Sequence, residues 1–233
     1  MPEPPVGFTS EYAKEVTELS YIELVNLAVE ALKMGPMFYV IGGWAAWRHH
    51  QTLGSRDIDC IFPNHGIMDT FLRVYYDRNG FVNTGGFLAK QMRKPVTITG
   101  RKEPVLIEID AACLTDGPPF KEDRSVNLPF TLLEEYHEEW DLGPAKVGIP
   151  TRELLVLQKV KAHRDRSFDL ARETSPVQVA WLRSKIWKDA HDIRGIVASR
   201  GLNWDTVNAI ARANECDHLV HTTLAELGVE HGK

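Results

Sequence analysis

Two aspartates, Asp57 and Asp59, stand in the segment Arg56–Phe62, which is otherwise apolar and β-prone. Side chains alternate between the two faces of a strand, so both carboxylates point to one face while Ile58, Cys60 and Phe62 point to the other. Like charges on one strand face are costly unless a cation neutralises them, and Mg²⁺ prefers hard oxygen ligands of this kind. The pair therefore indicates a Mg²⁺ site, with Mn²⁺ as the alternative ion. An exposed strand end is the competing interpretation.

A glycine pair, Gly42-Gly43, lies between the apolar strand predicted over Phe38–Ile41 and a helix predicted over Trp44–Gln51. Glycine has no Cβ, so the backbone N–H groups of a helix N-terminus can approach and hold a phosphate. A tight turn without a ligand would be the better explanation for an isolated glycine pair. Because Asp57 and Asp59 follow, we expect a phosphate-binding turn just before a metal-binding strand.

The segment Val105–Cys113 is the most strand-like stretch of the chain, yet it contains Glu108 and Asp110. A carboxylate in a strand that should be buried needs a partner. Glu108 and Asp110 lie on the same strand face by alternation, so either could complete the metal site. We favour Asp110 as the third carboxylate and keep Glu108 as the alternative.

The order of Gly42-Gly43, Asp57-x-Asp59 and the later Asp110 resembles the signature of the DNA polymerase beta-like nucleotidyltransferase superfamily. Within that superfamily, the sequences around the glycines and the aspartate pair are similar to the AbiEii group, which includes the MenT-type toxins, and to small antibiotic nucleotidyltransferases. The resemblance covers roughly residues 38 to 113. It implies a catalytic domain built on a mixed sheet with flanking helices.

A second set of residues resembles the AbiEii group, whose members carry a lysine on a helix and later a basic residue followed by Asp-x-x-Asp. Here Lys188-Asp189-Ala190-His191-Asp192 supplies the later motif, and Lys159 or Lys161 supplies the lysine. About twenty additional residues separate the two parts, so the choice between the two lysines stays open. The spacing of Lys188 and Asp192, and of Lys185 and Asp189, also fits a solvated, ion-paired helix face without any ligand.

We therefore expect a metal-dependent nucleotidyltransferase, which transfers a nucleoside monophosphate from an NTP such as ATP to an acceptor hydroxyl and releases pyrophosphate. In this hypothesis Asp57 and Asp59 hold two Mg²⁺ ions, and Asp110 binds one of them and acts as the base. Gly42, Gly43 and Ser55 hold the outer phosphates. Lys159 offsets charge on the leaving group.

The acceptor is not specified by these motifs. The AbiEii resemblance implies a tRNA 3′ end or a protein hydroxyl, together with a cognate antitoxin as partner. The antibiotic-enzyme resemblance implies a small polyol. A non-catalytic nucleotide-binding or interaction module on the same fold is the alternative from another functional class, although the presence of all three carboxylates argues against it.

Composition limits the protein class further. The chain has 233 residues and a net charge of -5, which gives no general attraction to nucleic acid. Its three cysteines, Cys60, Cys113 and Cys216, are widely spaced and predict buried thiols rather than disulfides or a zinc knuckle. We expect no membrane span, because no apolar run approaches the ~20 residues required. With no secretory signal at the N-terminus, we expect a cytoplasmic location.

The predicted fold class is α+β, with a nucleotidyltransferase-type mixed sheet and flanking helices followed by a C-terminal helical region. We place the catalytic domain with its N-terminal helix at 1–150 and the helical domain at 151–233. We interpret Trp44 and Trp47 as core residues, Lys90–Lys94 as a solvated basic hairpin, and the scattered histidines as not forming a zinc site. The predicted helices span Ser10–Met34, Trp44–Gln51, Gly66–Arg78, Arg152–Arg166, Pro176–Ser199 and Asp205–Leu227, the last as one or two helices. The predicted strands span Phe38–Ile41, Asp57–Phe62, Phe81–Thr84, Phe87–Met92, Val96–Thr99 and Val105–Cys113, with one or two more within Thr115–Pro150.

Overall fold

A computed structural model of the chain describes residues 12–35, 37–51, 53–83 and 91–229. The described part contains seven strands and seven α-helices. The strands are β1 (Tyr39–Val40), β2 (Asp57–Phe62), β3 (Val82–Asn83), β4 (Gln91–Val96), β5 (Val105–Cys113), β6 (His137–Asp141) and β7 (Lys146–Pro150). The helices are α1 (Lys14–Met34), α2 (Gly42–His50), α3 (His65–Asn79), α4 (Arg152–Leu170), α5 (Pro176–Ala198), α6 (Trp204–Ala213) and α7 (Asp217–Glu226).

The strands form one mixed sheet in the order β3-β4-β5-β2-β1-β7-β6. Strand β2 pairs in parallel with β5 and antiparallel with β1, and β1 pairs in parallel with β7. In the β2–β5 register Asp59 lies opposite Asp110, and Asp57 lies opposite Glu108. The two carboxylate-bearing strands are therefore neighbours at the centre of the sheet.

One face of the sheet supports the main hydrophobic core. Ile58, Cys60 and Phe62 of β2 are fully buried there, as the alternation of the sequence predicts. The helices α1 and α3 pack against β2 and β5. Burial of these alternating apolar residues fixes the strand register, so the carboxylates of β2 must emerge on the opposite face.

The opposite face is covered in two ways. Next to the carboxylates a small second cluster closes the sheet surface, formed by Tyr39, Ile61, Leu114, Leu133 and Leu154. Beyond it, α4 and α5 pack on each other, and α2 contacts both of them. The C-terminal helices therefore stand over the polar face of β2.

The helix termini follow signals visible in the sequence. Asn64 caps α3 by accepting a hydrogen bond from the Ile67 N–H, and Thr151 caps α4 by accepting one from the Leu154 N–H. Pro176 occupies the first turn of α5, where its missing N–H costs nothing. The last strand ends at Pro150, and the described elements after it are all helices.

The predicted fold class is confirmed: the chain forms a mixed sheet with flanking helices and a C-terminal helical region. Trp44 is buried and Trp47 packs against the same core, beside Tyr21 and Trp140. All three cysteines are buried free thiols, as predicted. No helix among the described residues is long and apolar enough to cross a membrane.

The strands before β5 differ from the prediction. A single strand, β4, runs through Arg93-Lys94-Pro95, and the separate strand predicted at Val96–Thr99 does not form. Pairing along β5, with Pro95 opposite Leu106, outweighs the low strand propensity of proline. Thr84 and positions 87–90, which belong to predicted strands, and Ser10 of the first predicted helix, lie outside the described residues.

The described part of the predicted basic hairpin is not simply solvated. Arg93 donates to Glu108 at 2.5 Å, and Lys94 donates to the buried Glu23 at 2.7 Å. Glu23 in turn accepts from the Tyr75 hydroxyl. These cations therefore neutralise carboxylates inside the fold.

We expect Ile58→Ala to lower the free energy of unfolding by about 2–5 kcal/mol, because it opens a cavity beneath the central strand. The matched control is Leu32→Ala on α1, where the side chain is 66% exposed and the expected change is below about 0.5 kcal/mol. Urea unfolding of both variants measures the difference. Equal losses would show that β2 is not part of the packed core.

Candidate active site

A cavity of about 860 Å³ lies between the polar face of the sheet and the helices α4 and α5. Its walls come from β2, β5, the start of α2, and the two long helices. All the residues that the sequence predicts for the site line this cavity: Gly42, Gly43, Ser55, Asp57, Asp59, Asp110 and Lys159. Residues from positions 42 to 159 thus converge on one space.

The glycine pair stands directly against the aspartate strand. Gly42 has a φ of +65°, and a Cβ on it would lie 2.0 Å from Asp59 Oδ2. A Cβ on Gly43 would lie 2.6 Å from Ser55 Oγ and 3.3 Å from Lys188 Nζ. The two glycines are themselves the first residues of α2, rather than a turn before it as predicted. This approach is open only to glycine, and it brings a helix N-terminus beside Asp59 and Lys188.

The two candidates for the third carboxylate differ in their surroundings. Glu108 is buried and accepts the short hydrogen bond from Arg93. Asp110 lies opposite Asp59 in the parallel register and is only partly buried. The geometry therefore favours Asp110 over Glu108 as the partner of Asp59.

Asp57 is paired with two cations. Its Oδ1 accepts from Arg56 Nε at 2.9 Å and its Oδ2 accepts from Lys185 Nζ at 2.8 Å. Burial raises the pKa of Asp57, but the charges and hydrogen bonds of Lys185 and Arg56 outweigh it and lower the pKa to about 2. Asp57 is therefore ionised at neutral pH, and α5 is tied to the centre of the sheet.

Asp59 is in a different electrostatic position. Burial and the neighbouring charge of Asp57 raise its pKa above the ordinary range. The positive charges of Lys159, Lys185 and Arg166 oppose that shift. An additional cation near Asp59 would remove the repulsion, so the donor set fits a divalent metal ion.

The three carboxylates Asp57, Asp59 and Asp110 do not converge on one point in this structure. No choice of one oxygen each from Asp57, Asp59 and Asp110 places all three within 4.8 Å of one another. In the described part of the chain, ligand atoms of a different group do lie within 4.8 Å of one another, namely those of His65, Cys113 and Asp116. This group does not line the cavity. Asp57 is instead oriented by Lys185 and Arg56.

A charge network between α4 and α5 forms part of the cavity wall. Lys159 Nζ is 2.7 Å from Asp192 and 3.4 Å from Asp189, and Lys188 Nζ is 2.9 Å from Asp192. Arg166 pairs with Asp189. Burial lowers the pKa of Lys159, but the Asp192 and Asp189 carboxylates raise it above its usual value, so this lysine stays charged.

The solvated helix face that the i,i+4 spacing allows is therefore not what forms. Lys188, Asp189 and Asp192 are 5%, 1% and 0% exposed. Lys185 does not pair with Asp189, its neighbour at i+4, but with Asp57. Lys161 pairs with Asp165 at the cavity wall, whereas Lys159 occupies the network.

Sequence patterns alone missed several cavity residues, namely Arg56, Arg166, Trp181 and Lys185. The sequence does contain a pattern that could have identified this face of α5. Four residues follow one another at intervals of four, three and four positions, which places them on one helix face: Trp181, Lys185, Lys188 and Asp192. The helix α4 also runs beyond its predicted end at Arg166 to Leu170. Arg166 is therefore an interior helix residue facing the cavity.

No model of a known protein family matches the chain, and no curated protein is recovered as a relative. Among solved structures, an antigenic nucleotidyltransferase-like protein from Paracoccidioides brasiliensis superposes with a TM-score of 0.50 over 93% of each chain, at 14% identity. The fold is nucleotidyltransferase-like. At 14% identity the similarity concerns the fold, and it agrees with the predicted mixed sheet and flanking helices.

Two antibiotic-related structures are also similar to parts of the chain. The antibiotic-resistance factor ANT(2'')-Ia has 13% identity and a TM-score of 0.44, over 90% of this chain and 98% of that chain. LnuA, a lincosamide antibiotic adenylyltransferase with lincomycin bound, has 16% identity and a TM-score of 0.42, over 78% of this chain and 96% of that chain. Both superpose less closely than the Paracoccidioides brasiliensis protein.

We expect Asp192→Asn to lower the free energy of unfolding by about 3–5 kcal/mol. The change removes the charge that two buried lysines share and leaves them repelling each other. Asp77→Asn, at an exposed position on α3, is the control and should change stability by less than about 0.5 kcal/mol. Chemical denaturation of the two variants tests this, and a loss below about 1 kcal/mol for Asp192→Asn would contradict a stabilising network.

Proposed function

We propose that the protein is a metal-dependent nucleotidyltransferase that joins a nucleoside monophosphate from an NTP to an acceptor hydroxyl. The observation that carries this proposal is the parallel register of Asp59 and Asp110 beside the helix N-terminus of Gly42-Gly43. It combines a carboxylate pair for a metal with backbone N–H groups for a phosphate. The nucleotidyltransferase-like fold supports the same reaction class.

In this proposal Asp57, Asp59 and Asp110 hold Mg²⁺ or Mn²⁺, which supplies charge neutralisation for the triphosphate and acidifies the acceptor hydroxyl when bound. Gly42, Gly43 and Ser55 hold the outer phosphates at the start of α2. The acceptor oxygen attacks the α-phosphorus in line, and the bond from that phosphorus to the β-phosphate oxygen breaks. Asp110 accepts the proton of the acceptor hydroxyl, and pyrophosphate leaves.

The positive charges around Asp59 suit the leaving pyrophosphate. Lys159, Lys185 and Arg166 all act electrostatically on Asp59. Lys159 holds two buried carboxylates at the same time, so we assign it a fixed supporting charge on the outer phosphates. Lys185 and Arg166 add to that charge from the same cavity wall.

The AbiEii-type subgroup and its acceptors, a tRNA 3′ end or a protein hydroxyl, stay within this proposal, as does a cognate antitoxin. Two carboxylates of α4 in the cavity, Asp165 and Asp169, are paired with Lys161 and Lys121, so this part of the lining does not select one class of acceptor. An assay without a chosen acceptor therefore fits the structure best. The assay should detect a labelled acceptor whether it is an RNA, a protein or a small molecule.

We expect the purified protein to transfer label from an α-³²P-NTP to a component of cell extract supplemented with total tRNA and Mg²⁺. Asp59→Asn and Asp110→Asn should each reduce transfer by about 10²-fold or more, because each removes a metal ligand or the base. Glu108→Gln is the matched control on the same strand, and it should retain transfer within about tenfold. Gel and thin-layer separation of the labelled products measures the rates.

Two outcomes would contradict the assignment. If no acceptor is labelled with any of the four NTPs, and Mg²⁺ leaves NTP affinity unchanged, the protein is a binding module rather than a transferase. If Glu108→Gln abolishes transfer and Asp110→Asn does not, the third carboxylate is Glu108. Circular dichroism of each variant separates loss of chemistry from loss of folding.

The contact between Lys185 and Asp57 has a direct consequence for metal binding. The Lys185 ammonium holds an oxygen of Asp57 that a metal ion would use, so a metal that arrives alone must displace it. A metal that arrives with a triphosphate gives Lys185 another anion to pair with. Metal and nucleotide should therefore bind more favourably together than separately.

We expect Lys185→Met to bind Mn²⁺ about tenfold more tightly than the native protein when no nucleotide is present, because one charge-assisted hydrogen bond no longer competes. The same variant should bind the Mg²⁺ complex of a non-hydrolysable NTP more weakly. Lys161→Met is the control, since Lys161 lines the same cavity but pairs with Asp165. Electron paramagnetic resonance of free Mn²⁺ and calorimetry provide the two measurements, and unchanged Mn²⁺ affinity in Lys185→Met would refute the competition.

A further inference from the structure

Trp181 is the one exposed tryptophan of this chain. All six tryptophans lie in the described residues, and the other five are buried or partly buried. Trp181 is 42% exposed and lines the cavity. Val177, one helical turn earlier on α5, also lines it and is 77% exposed. The entrance of the cavity therefore presents apolar surface that no other part of the described structure covers.

The position of Trp181 relative to the carboxylates is fixed by Lys185. The Lys185 ammonium is 5.9 Å from the centroid of the Trp181 ring and 2.8 Å from Asp57 Oδ2. The ring centroid can therefore be no more than about 9 Å from that carboxylate oxygen. The aromatic surface belongs to the same site as the proposed metal ligands.

Successive residues of α5 lie beside successive parts of the site. Lys188, near Gly43, lies seven residues after Trp181, which corresponds to about 10 Å along the helix axis. Lys185 and Asp57 lie between them. A ligand with its phosphates at the start of α2 and its α-phosphate at the aspartates would place its remaining end near Trp181.

We propose that Trp181 is the stacking platform for the nucleobase of the NTP. This inference rests on the proposed function and adds the position of the base to it. A base is tethered to its α-phosphate through one ribose, so it must lie close to the carboxylates, and Trp181 provides an exposed aromatic face at that range. Stacking uses the π-face that every base has, so the platform accepts different bases without selecting one by hydrogen bonds.

The acceptor is the competing occupant of this surface. Its hydroxyl must reach Asp110 on β5, whereas Trp181 is linked through Lys185 to Asp57 on β2. The acceptor is also not constrained in length by a tether to the phosphates. The platform position therefore matches the nucleobase better than the acceptor.

Calorimetric titration can separate the contribution of the base to nucleotide affinity from that of the phosphates. The ligands are the α,β-methylene analogues of ATP, CTP, GTP and UTP, and inorganic tripolyphosphate, each with Mg²⁺. Trp181→Ala should weaken the best-bound nucleotide by about tenfold, and Trp181→Phe should retain most of the affinity because it keeps an aromatic face. Tripolyphosphate, which has no base, should bind the native protein and both variants equally. Arg183→Ala, at an exposed position of α5 outside the cavity, is the control and should match the native protein.

Each other outcome overturns a defined part of the inference. If Trp181→Ala binds every nucleotide as the native protein does, Trp181 is not the base platform, and an acceptor or a partner uses that surface. If it weakens tripolyphosphate as much as nucleotide, the substitution acts through the structure of α5. If the native protein itself binds none of the four nucleotides, the proposed function fails and the platform fails with it.

Discussion

Two carboxylates side by side on a buried strand face are the constraint on which the rest of this structure depends. Asp57 and Asp59 repel each other, and Arg56, directly before β2, pairs with Asp57. Further compensation comes from Lys159 and Lys185, on helices that follow much later in the chain. The C-terminal helices therefore complete the site and do not merely cover the sheet.

Lys159 is itself buried, so it needs a counter-charge of its own. Asp189 and Asp192 supply it, one helical turn apart on α5. This second layer explains why basic and acidic residues alternate within Lys188–Asp192 on a helix that is otherwise packed. A buried ionic network stabilises a structure only when every member is paired, so the orientation of α4 and α5 is held by the charges they share.

The sequence patterns determined the sheet side of the site better than the helix side. Alternation assigned the faces of β2 correctly, because the period of a strand is fixed and one face is apolar. The choice between Glu108 and Asp110 could not be made in this way, since both lie on one face of β5. It depends on Arg93, which reaches Glu108 from the neighbouring strand β4.

The part of the site on α4 and α5 depends on tertiary contacts, which the spacing of residues along one helix does not predict. Spacing along α5 favours a pair between Lys185 and Asp189, yet the tertiary contact with Asp57 forms instead. An exposed i,i+4 pair contributes only a few tenths of a kcal/mol, roughly, so a buried carboxylate readily outcompetes it. The same reasoning applies to Pro95, where pairing with β5 outweighs local strand propensity.

The charge balance of the cavity also bears on how the site changes when it is filled. Asp57 is neutralised by Lys185 and Arg56, so this proposed metal ligand is paired with protein cations. A metal–triphosphate complex brings positive and negative charge together. Its metal can pair with Asp57 while its triphosphate pairs with Lys185, so no charge is left unpaired. Metal or triphosphate alone would leave a buried charge without a partner, which is costly. The ion pair at Asp57 thus favours the complete complex over either component.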